Sequence, residues 1–209
     1  MRAFQALGLL LGSGSGSDTL HYLLEDAWVR GGAGLELSDT FLAGAQAKLS
    51  FAEGPLYAVM HESIYGQRSV DPGPTGWAAE RVRPEFPGFD AARALEEGAP
   101  VRFTGEMIYP WMFETDPALR PLRETAELLA GRTDWPDLYA ADALAANQVP
   151  VAAVVYHDDM YVDTADSLAT AGAVSGVRTW VTNEWEHDGL RVSGGQVLDR
   201  LIRMVRGEA

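Results

Sequence analysis

The apolar positions change their period along the chain. Through the first half they recur at helical spacing. Residues 2–11 predict a helix fragment, and the glycine-serine alternation at 12–17 predicts a flexible connection. Asp18 can cap a helix carried by His21, Leu24 and Trp28 and closed at Gly31-Gly32; Ser38 can cap another through Phe41, Ala45 and Leu49. Pro55 suits a first helical turn, and Leu56, Val59, Met60, Ser63 and Ile64 supply one face until Gly66. An irregular stretch rich in proline and glycine follows to about Pro100, broken by a short segment at 77–82.

From Thr104 the character shifts. Gly105-Glu106-Met107-Ile108-Tyr109-Pro110-Trp111-Met112-Phe113 is densely aromatic, and 117–130 predicts a strong helix, which places a boundary near residue 115 between a mostly helical part, 1–114, and a second part, 115–209. In the second part 138–147 reads as helical, and 149–156 is a β-rich apolar run of the kind buried on both faces of a parallel sheet. A short helical crossover at 165–172, a strand at 177–182 and an amphipathic helix at 195–205 complete an α/β pattern. Between them lie two loops, one with acidic residues and one with a histidine.

Composition narrows the class. The 209 residues are 47% hydrophobic and 22% charged, which describes a packed globular protein, and a formal net charge of -14 repels phosphate backbones and anionic lipid surfaces. Neither nucleic acid nor a membrane is an expected partner. The absence of cysteine removes disulfides, thiolate nucleophiles and cysteine zinc sites, and fits a reducing cytoplasm. The apolar start up to Leu11 imitates a secretory signal but carries one charge and no clear cleavage site, and no apolar run approaches the roughly 18 residues of a membrane span.

The chemistry concentrates in the two loops. Asp159 and His187 each follow a predicted strand, at the carboxyl ends where functional groups of open parallel sheets gather. A histidine that removes a proton from a hydroxyl needs a carboxylate on its other ring nitrogen, and this pair has the order and separation of the last two members of a Ser-Asp-His triad. Asp158 competes with Asp159 for the acid role. Asp163, Asp166, Glu186 and Asp188, with His157 and His187, also permit a metal reading, but without a ligand-spacing signature solvated loop carboxylates are the simpler account. No serine stands in a Gly-x-Ser-x-Gly elbow. The alternation at 12–17 has the wrong phase: two places after each of its glycines comes Gly14, Gly16 or Asp18.

Tyr156-His157-Asp158-Asp159-Met160 resembles the acid turn of the proline iminopeptidases, α/β-hydrolases of peptidase family S33, and Glu186-His187-Asp188 falls where their histidine turn belongs. The resemblance extends over essentially the whole chain, through His61-Glu62-Ser63-Ile64-Tyr65-Gly66 and Gly105-Glu106-Met107-Ile108-Tyr109-Pro110-Trp111, similar to segments of the family's helical cap. It implies the carboxyl-terminal part of an α/β-hydrolase sheet with a partial helical cap over 1–114, and a serine aminopeptidase that cleaves after an amino-terminal residue, proline by the resemblance. Glu62 and Glu106 then hold the substrate's ammonium, Tyr109 and its aromatic neighbours enclose a proline ring or form core, and Asp159 and His187 are catalytic. No metal or organic cofactor is implied. The elbow serine, the oxyanion loop and the early strands are missing, so the chain is expected to be a fragment, inactive alone, with an amino-terminal half as a partner beside the peptide substrate. The rival expectations are another α/β-hydrolase such as an esterase, and a catalytically dead binding or assembly module.

Overall fold

A computed structural model describes residues 1–70 and 72–208. In chain order its elements are α1 (Arg2–Ala6), α2 (Gly16–Glu25), β1 (Trp28–Gly31), β2 (Gly34–Leu37), α3 (Asp39–Leu49), α4 (Pro55–Met60), α5 (Ala78–Val82), α6 (Ala91–Glu96), α7 (Met112–Thr115), α8 (Arg123–Ala130), α9 (Ala141–Ala145), β3 (Val151–Tyr156), α10 (Thr164–Ala173), β4 (Val177–Thr182), α11 (Gly189–Val192) and α12 (Gln196–Arg206). No helix among the described residues is long and apolar enough to cross a membrane.

The chain forms two compact units, Met1–Leu9 with His21–Leu138, and Leu10–Leu20 with Tyr139–Ala209. The packing break therefore falls at 138/139, later than the boundary expected near 115. The reason lies in residues 112–130: Met112, Phe113, Leu119 and Ala126 are buried in one cluster with Ala58, Val59, Ala79, Ile108 and Tyr109, and cannot be separated from them. The helix expected over 117–130 is shorter, because Pro121 lies in a 3-10 turn, Arg120–Leu122, that precedes α8.

In this first unit α3 begins as its sequence predicts, with the Ser38 hydroxyl accepting the Phe41 N–H at 3.0 Å. The segment Trp28–Gly31, expected to end the helix that begins after Asp18, is instead the first strand of an antiparallel hairpin pairing Trp28 with Leu37 and Gly31 with Gly34. Gly32 and Ala33 form its turn, and Gly34, the first residue of β2, has φ 127°, a value that disfavours any residue with a Cβ. The irregular stretch is tied down by a buried amide: Gln5 Nε2 donates to the carbonyls of Phe89 at 2.9 Å and Arg102 at 3.0 Å.

The second unit is built on a parallel pair. β3 and β4 run in register from Val151 opposite Val177 to Tyr156 opposite Thr182, with α10 as the crossover. Strands and crossover match the sequence pattern to within two residues, whereas the helix expected at 138–147 shrinks to α9. Val155 and Tyr156, at the end of β3, are buried, and α12 packs on this strand with Val197 fully covered. The mixed helix and strand content with a parallel sheet is consistent with part of an α/β-hydrolase.

The stretch at 12–17 is not a flexible connection. The Ser13 N–H donates to the Leu10 carbonyl at 3.3 Å and the Gly16 N–H to the Ser13 carbonyl at 2.8 Å, forming a tight turn into α2. Two of its three glycines are required by close approach, since a Cβ on Gly16 would lie 1.8 Å from the Leu10 oxygen and one on Gly12 would lie 1.9 Å from the Tyr161 ring.

Candidate active site

Two clusters of ionisable groups stand out, one in each unit. In the second unit, the loops leaving the carboxyl ends of β3 and β4 bring Asp159 Oδ2 to 2.9 Å from His187 Nδ1. The other carboxylate oxygen, Oδ1, accepts the backbone N–H groups of Tyr161 at 2.8 Å and Val162 at 3.0 Å. Both oxygens are thus committed, and the Asp159 side chain is only 6% exposed while His187 is 49% exposed. An ionised carboxylate only accepts, so this contact puts the imidazole hydrogen on Nδ1 and leaves Nε2 as the basic nitrogen. The Tyr161 ring meets the imidazole edge-on, with centroids 5.0 Å apart.

The neighbouring carboxylates have other work. Asp163 caps α10 by accepting the Ala165 N–H at 2.7 Å, and Asp188 Oδ2 accepts the Gly14 N–H at 3.3 Å. Burial, reinforced by Asp158, Asp159 and Asp188, pushes the Glu186 carboxyl above its usual range. Asp158 is exposed, and of the two adjacent aspartates it is Asp159 that meets the imidazole. Among the described residues no group of three or more such side chains could hold a metal ion.

In the first unit, Glu62 lies in the 3-10 turn His61–Ile64 after α4 and is 1% exposed. Its Oε2 accepts the Thr75 hydroxyl and the Ala78 N–H, the latter at 3.2 Å. These donors come from a turn in which Gly76 and Trp77 both have φ of 58°. For a tryptophan that backbone conformation costs about 1–3 kcal/mol. The turn is held by the Gly76 N–H on the Ala130 carbonyl at 2.9 Å and by Trp77 Nε1 on Glu127 at 3.0 Å. The second oxygen of Glu62, Oε1, is buried without a hydrogen-bond partner among the described residues. Leaving a buried acceptor unpaired costs about 1–3 kcal/mol, and more when it is charged.

Glu106 belongs to the same neighbourhood. Its Oε2 accepts the Tyr57 hydroxyl at 2.9 Å, and both glutamates act electrostatically on His61 and on Tyr65. Burial holds His61 below the usual imidazole range although Glu106 and Glu62 pull it upward; burial also raises Tyr65, and the two carboxylates raise it further. His61 Nε2 and the Tyr65 hydroxyl are 3.2 Å apart. Tyr109 also acts on Tyr65, but it is 5% exposed, stacked on Trp111 with centroids 6.2 Å apart, and buried with the fully covered Phe113. Phe113 and Trp111 pack in or against the hydrophobic cluster that contains Tyr109.

No family model matches the chain. It is 48% identical over 202 residues to the proline iminopeptidase of Aeromonas sobria, an overlap of 97% of this chain and 45% of that protein. It is 32% identical over 205 residues to proline iminopeptidase aneH of Aspergillus aculeatus, covering 96% of this chain and 43% of that relative. The chain is proline iminopeptidase-like. It spans less than half the length of these two relatives.

Several groups of this proline iminopeptidase-like chain were not anticipated from its sequence. The Tyr161 and Val162 N–H groups on Asp159 form a local turn, in which an aspartate accepts from the residues two and three further on, a pattern available in Asp159-Met160-Tyr161-Val162. Thr75 and Tyr57 left no such signal, since they meet Glu62 and Glu106 across 13 and 49 residues of chain.

Proposed function

We propose that this chain supplies the acid-histidine pair and the amine-binding carboxylates of a serine-type prolyl aminopeptidase. The observation that carries the reading is the 2.9 Å contact between Asp159 and His187, at the carboxyl ends of adjacent parallel strands. In this reaction a serine hydroxyl attacks the carbonyl of the amino-terminal residue while His187 Nε2 takes its proton. The same proton then passes to the departing amine, and water, activated by His187, releases the acyl group as a free amino acid. Asp159 fixes the tautomer and stabilises the imidazolium.

Glu62 and Glu106 hold the substrate's ammonium. The unpaired, buried Oε1 of Glu62 supports this role, because a charged N–H donor would relieve its desolvation. Tyr57 orients Glu106, and Tyr109 closes the aromatic side. The relatives' name supports proline as the amino-terminal residue. In this reading the first unit contributes the cap and the second unit the carboxyl-terminal part of the hydrolase core.

The serine and the oxyanion donors come from sequence outside these 209 residues, so the isolated chain is inactive. Each strand of the β3–β4 pair has one edge unpaired among the described residues, and Val181, Leu190, Val192 and Leu198 are exposed, features that suit a larger sheet completed by an amino-terminal half. The lack of cysteine supports a reducing, cytoplasmic setting.

The test is a chimera in which this chain replaces the matching region of the Aeromonas sobria protein. It is expected to release the arylamine from a proline arylamide, and His187→Ala is expected to abolish turnover. A folded chimera that hydrolyses simple esters but not the arylamide would replace the peptidase reading with an esterase. One that turns over neither would support a dead module. Stoichiometric fluorophosphonate labelling of the isolated 209-residue chain would contradict the external serine.

A further inference from the structure

We infer that Tyr161 is a positioning residue for His187, and that the glycine-serine turn at residues 12–16 is the seat that holds it. This rests on the reading of His187 as the base. The argument is one of contacts within the second unit. The Tyr161 N–H fixes Asp159 Oδ1 at 2.8 Å, while its ring stands edge-on to the imidazole at 5.0 Å. One residue therefore touches both members of the pair, the carboxylate through its backbone and the imidazole through its side chain.

Behind the ring lies Gly12, which is buried. A Cβ there would fall 1.9 Å from Tyr161 Cζ and 2.3 Å from both Cε atoms, so the backbone lies against the phenol end of the ring. Two residues on, the Gly14 N–H donates to Asp188 Oδ2 at 3.3 Å, reaching the residue that follows His187. The turn thus contacts the histidine loop from two directions, through the Tyr161 ring and through Asp188. It can act as a seat because it is closed on itself, by the Ser13 hydroxyl on the Leu10 carbonyl at 3.1 Å and the Gly16 N–H on the Ser13 carbonyl at 2.8 Å.

A half-exposed imidazole held by one hydrogen bond can rotate about its outer torsion, which is broad for a ring on an sp3 carbon. The ring contact limits that rotation and keeps Nδ1 on Asp159. An alanine at 12 forces the phenol out of its seat, and the displacement reaches the imidazole.

The experiment uses the 209-residue chain itself, labelled with 15N-histidine, which has four histidines to resolve. His187 is assigned by its loss in His187→Gln. In the native chain its ring signals are expected to report the Nδ1–H tautomer. Gly12→Ala and Tyr161→Leu are expected to give comparable populations of both tautomers, while the exposed-site control Ser15→Ala keeps the native pattern. If Gly12→Ala does not fold, Tyr161→Leu decides. An unchanged His187 tautomer in folded Tyr161→Leu would overturn the proposal.

In the chimera, Tyr161→Leu is expected to lower kcat on the order of tenfold to a hundredfold with KM held. A tautomer shift with no change in kcat would uphold the positioning and count against His187 as the base, so the two failures are distinguishable.

Discussion

The two ionisable clusters are opposites in how their carboxylates are satisfied. Asp159 is covered and fully engaged: one oxygen on the imidazole, the other on two backbone N–H groups. Glu62 is covered more deeply, yet among the described residues only one of its oxygens is paired. A carboxylate that must orient a neighbour through a reaction is best held rigidly on every side, because movement would cost alignment. One that must receive a cation is best left with an empty acceptor, because the desolvation of that acceptor is relieved only by the ligand. Under the proposed function, the difference in satisfaction is a difference in task.

The sharpest way to break the contrast is to disturb the engaged side. In the chimera, Asp159→Asn is expected to lower kcat by about 10³–10⁴-fold with little change in KM, since an amide can present an N–H to Nδ1 and favour the wrong tautomer. A drop of less than tenfold in the arylamide assay would show that Asp159 does not orient the base.

The unpaired side is tested next by stability. Glu62→Ala removes the acceptor of two buried donors and is expected to lower unfolding free energy by about 2–3 kcal/mol in urea titration of the isolated chain. Glu62→Gln keeps an oxygen for Thr75 and Ala78 and places an amide at the orphan position, so its loss is expected to be smaller. Equal losses would mean that Glu62 is a packing residue only.

A finer test concerns the support of Glu106. Tyr57→Phe removes the hydrogen bond at 2.9 Å, worth about 0.5–1.5 kcal/mol, and is expected to raise KM for the arylamide a few-fold while kcat holds. A fall in kcat alone would move Tyr57 out of substrate binding.

The smallest effects are in pH. His61 is held below its ordinary value of 6.5, so the unfolded chain binds more protons there, and stability is lost as pH falls through that value toward the folded one. Glu186 is shifted upward, so the folded state binds more protons and stability falls as pH rises from the ordinary carboxyl range through the raised one. Glu186→Gln is therefore expected to raise Tm slightly at pH 7 and to leave it unchanged well below the usual glutamate range. A destabilised variant at pH 7 would show that Glu186 makes a favourable contact.

How much of this was legible depended on range in sequence. The strands β3 and β4 showed as continuous apolar runs, because burial in a parallel sheet writes itself into consecutive residues, and Asp159 and His187 followed as the loop residues at their ends. The hairpin β1–β2 was hidden because Trp28 also fits the helical spacing of His21 and Leu24, and the tertiary pairing of Trp28 with Leu37 overrides it. The turn at 12–16 was misread for a physical reason: glycine marks both freedom and close approach, and only the Tyr161 ring and the Leu10 carbonyl reveal which applies. The Glu62 site was the least legible, since its donors arrive from a strained turn at residues 75–78 and nothing local to His61-Glu62-Ser63 predicts them.

In the proposed function a paired carboxylate runs the chemistry and an unpaired one reads the substrate's charge. It is tested most directly by measuring kcat/KM of the chimera, with and without Glu62→Gln, on a proline arylamide and on its N-acetylated counterpart. Strong preference for the free amino terminus is expected, with a loss of about 10²–10³-fold on that substrate alone in Glu62→Gln. If Glu62→Gln leaves the preference intact, or lowers both substrates equally, the buried glutamate does not recognise the ammonium.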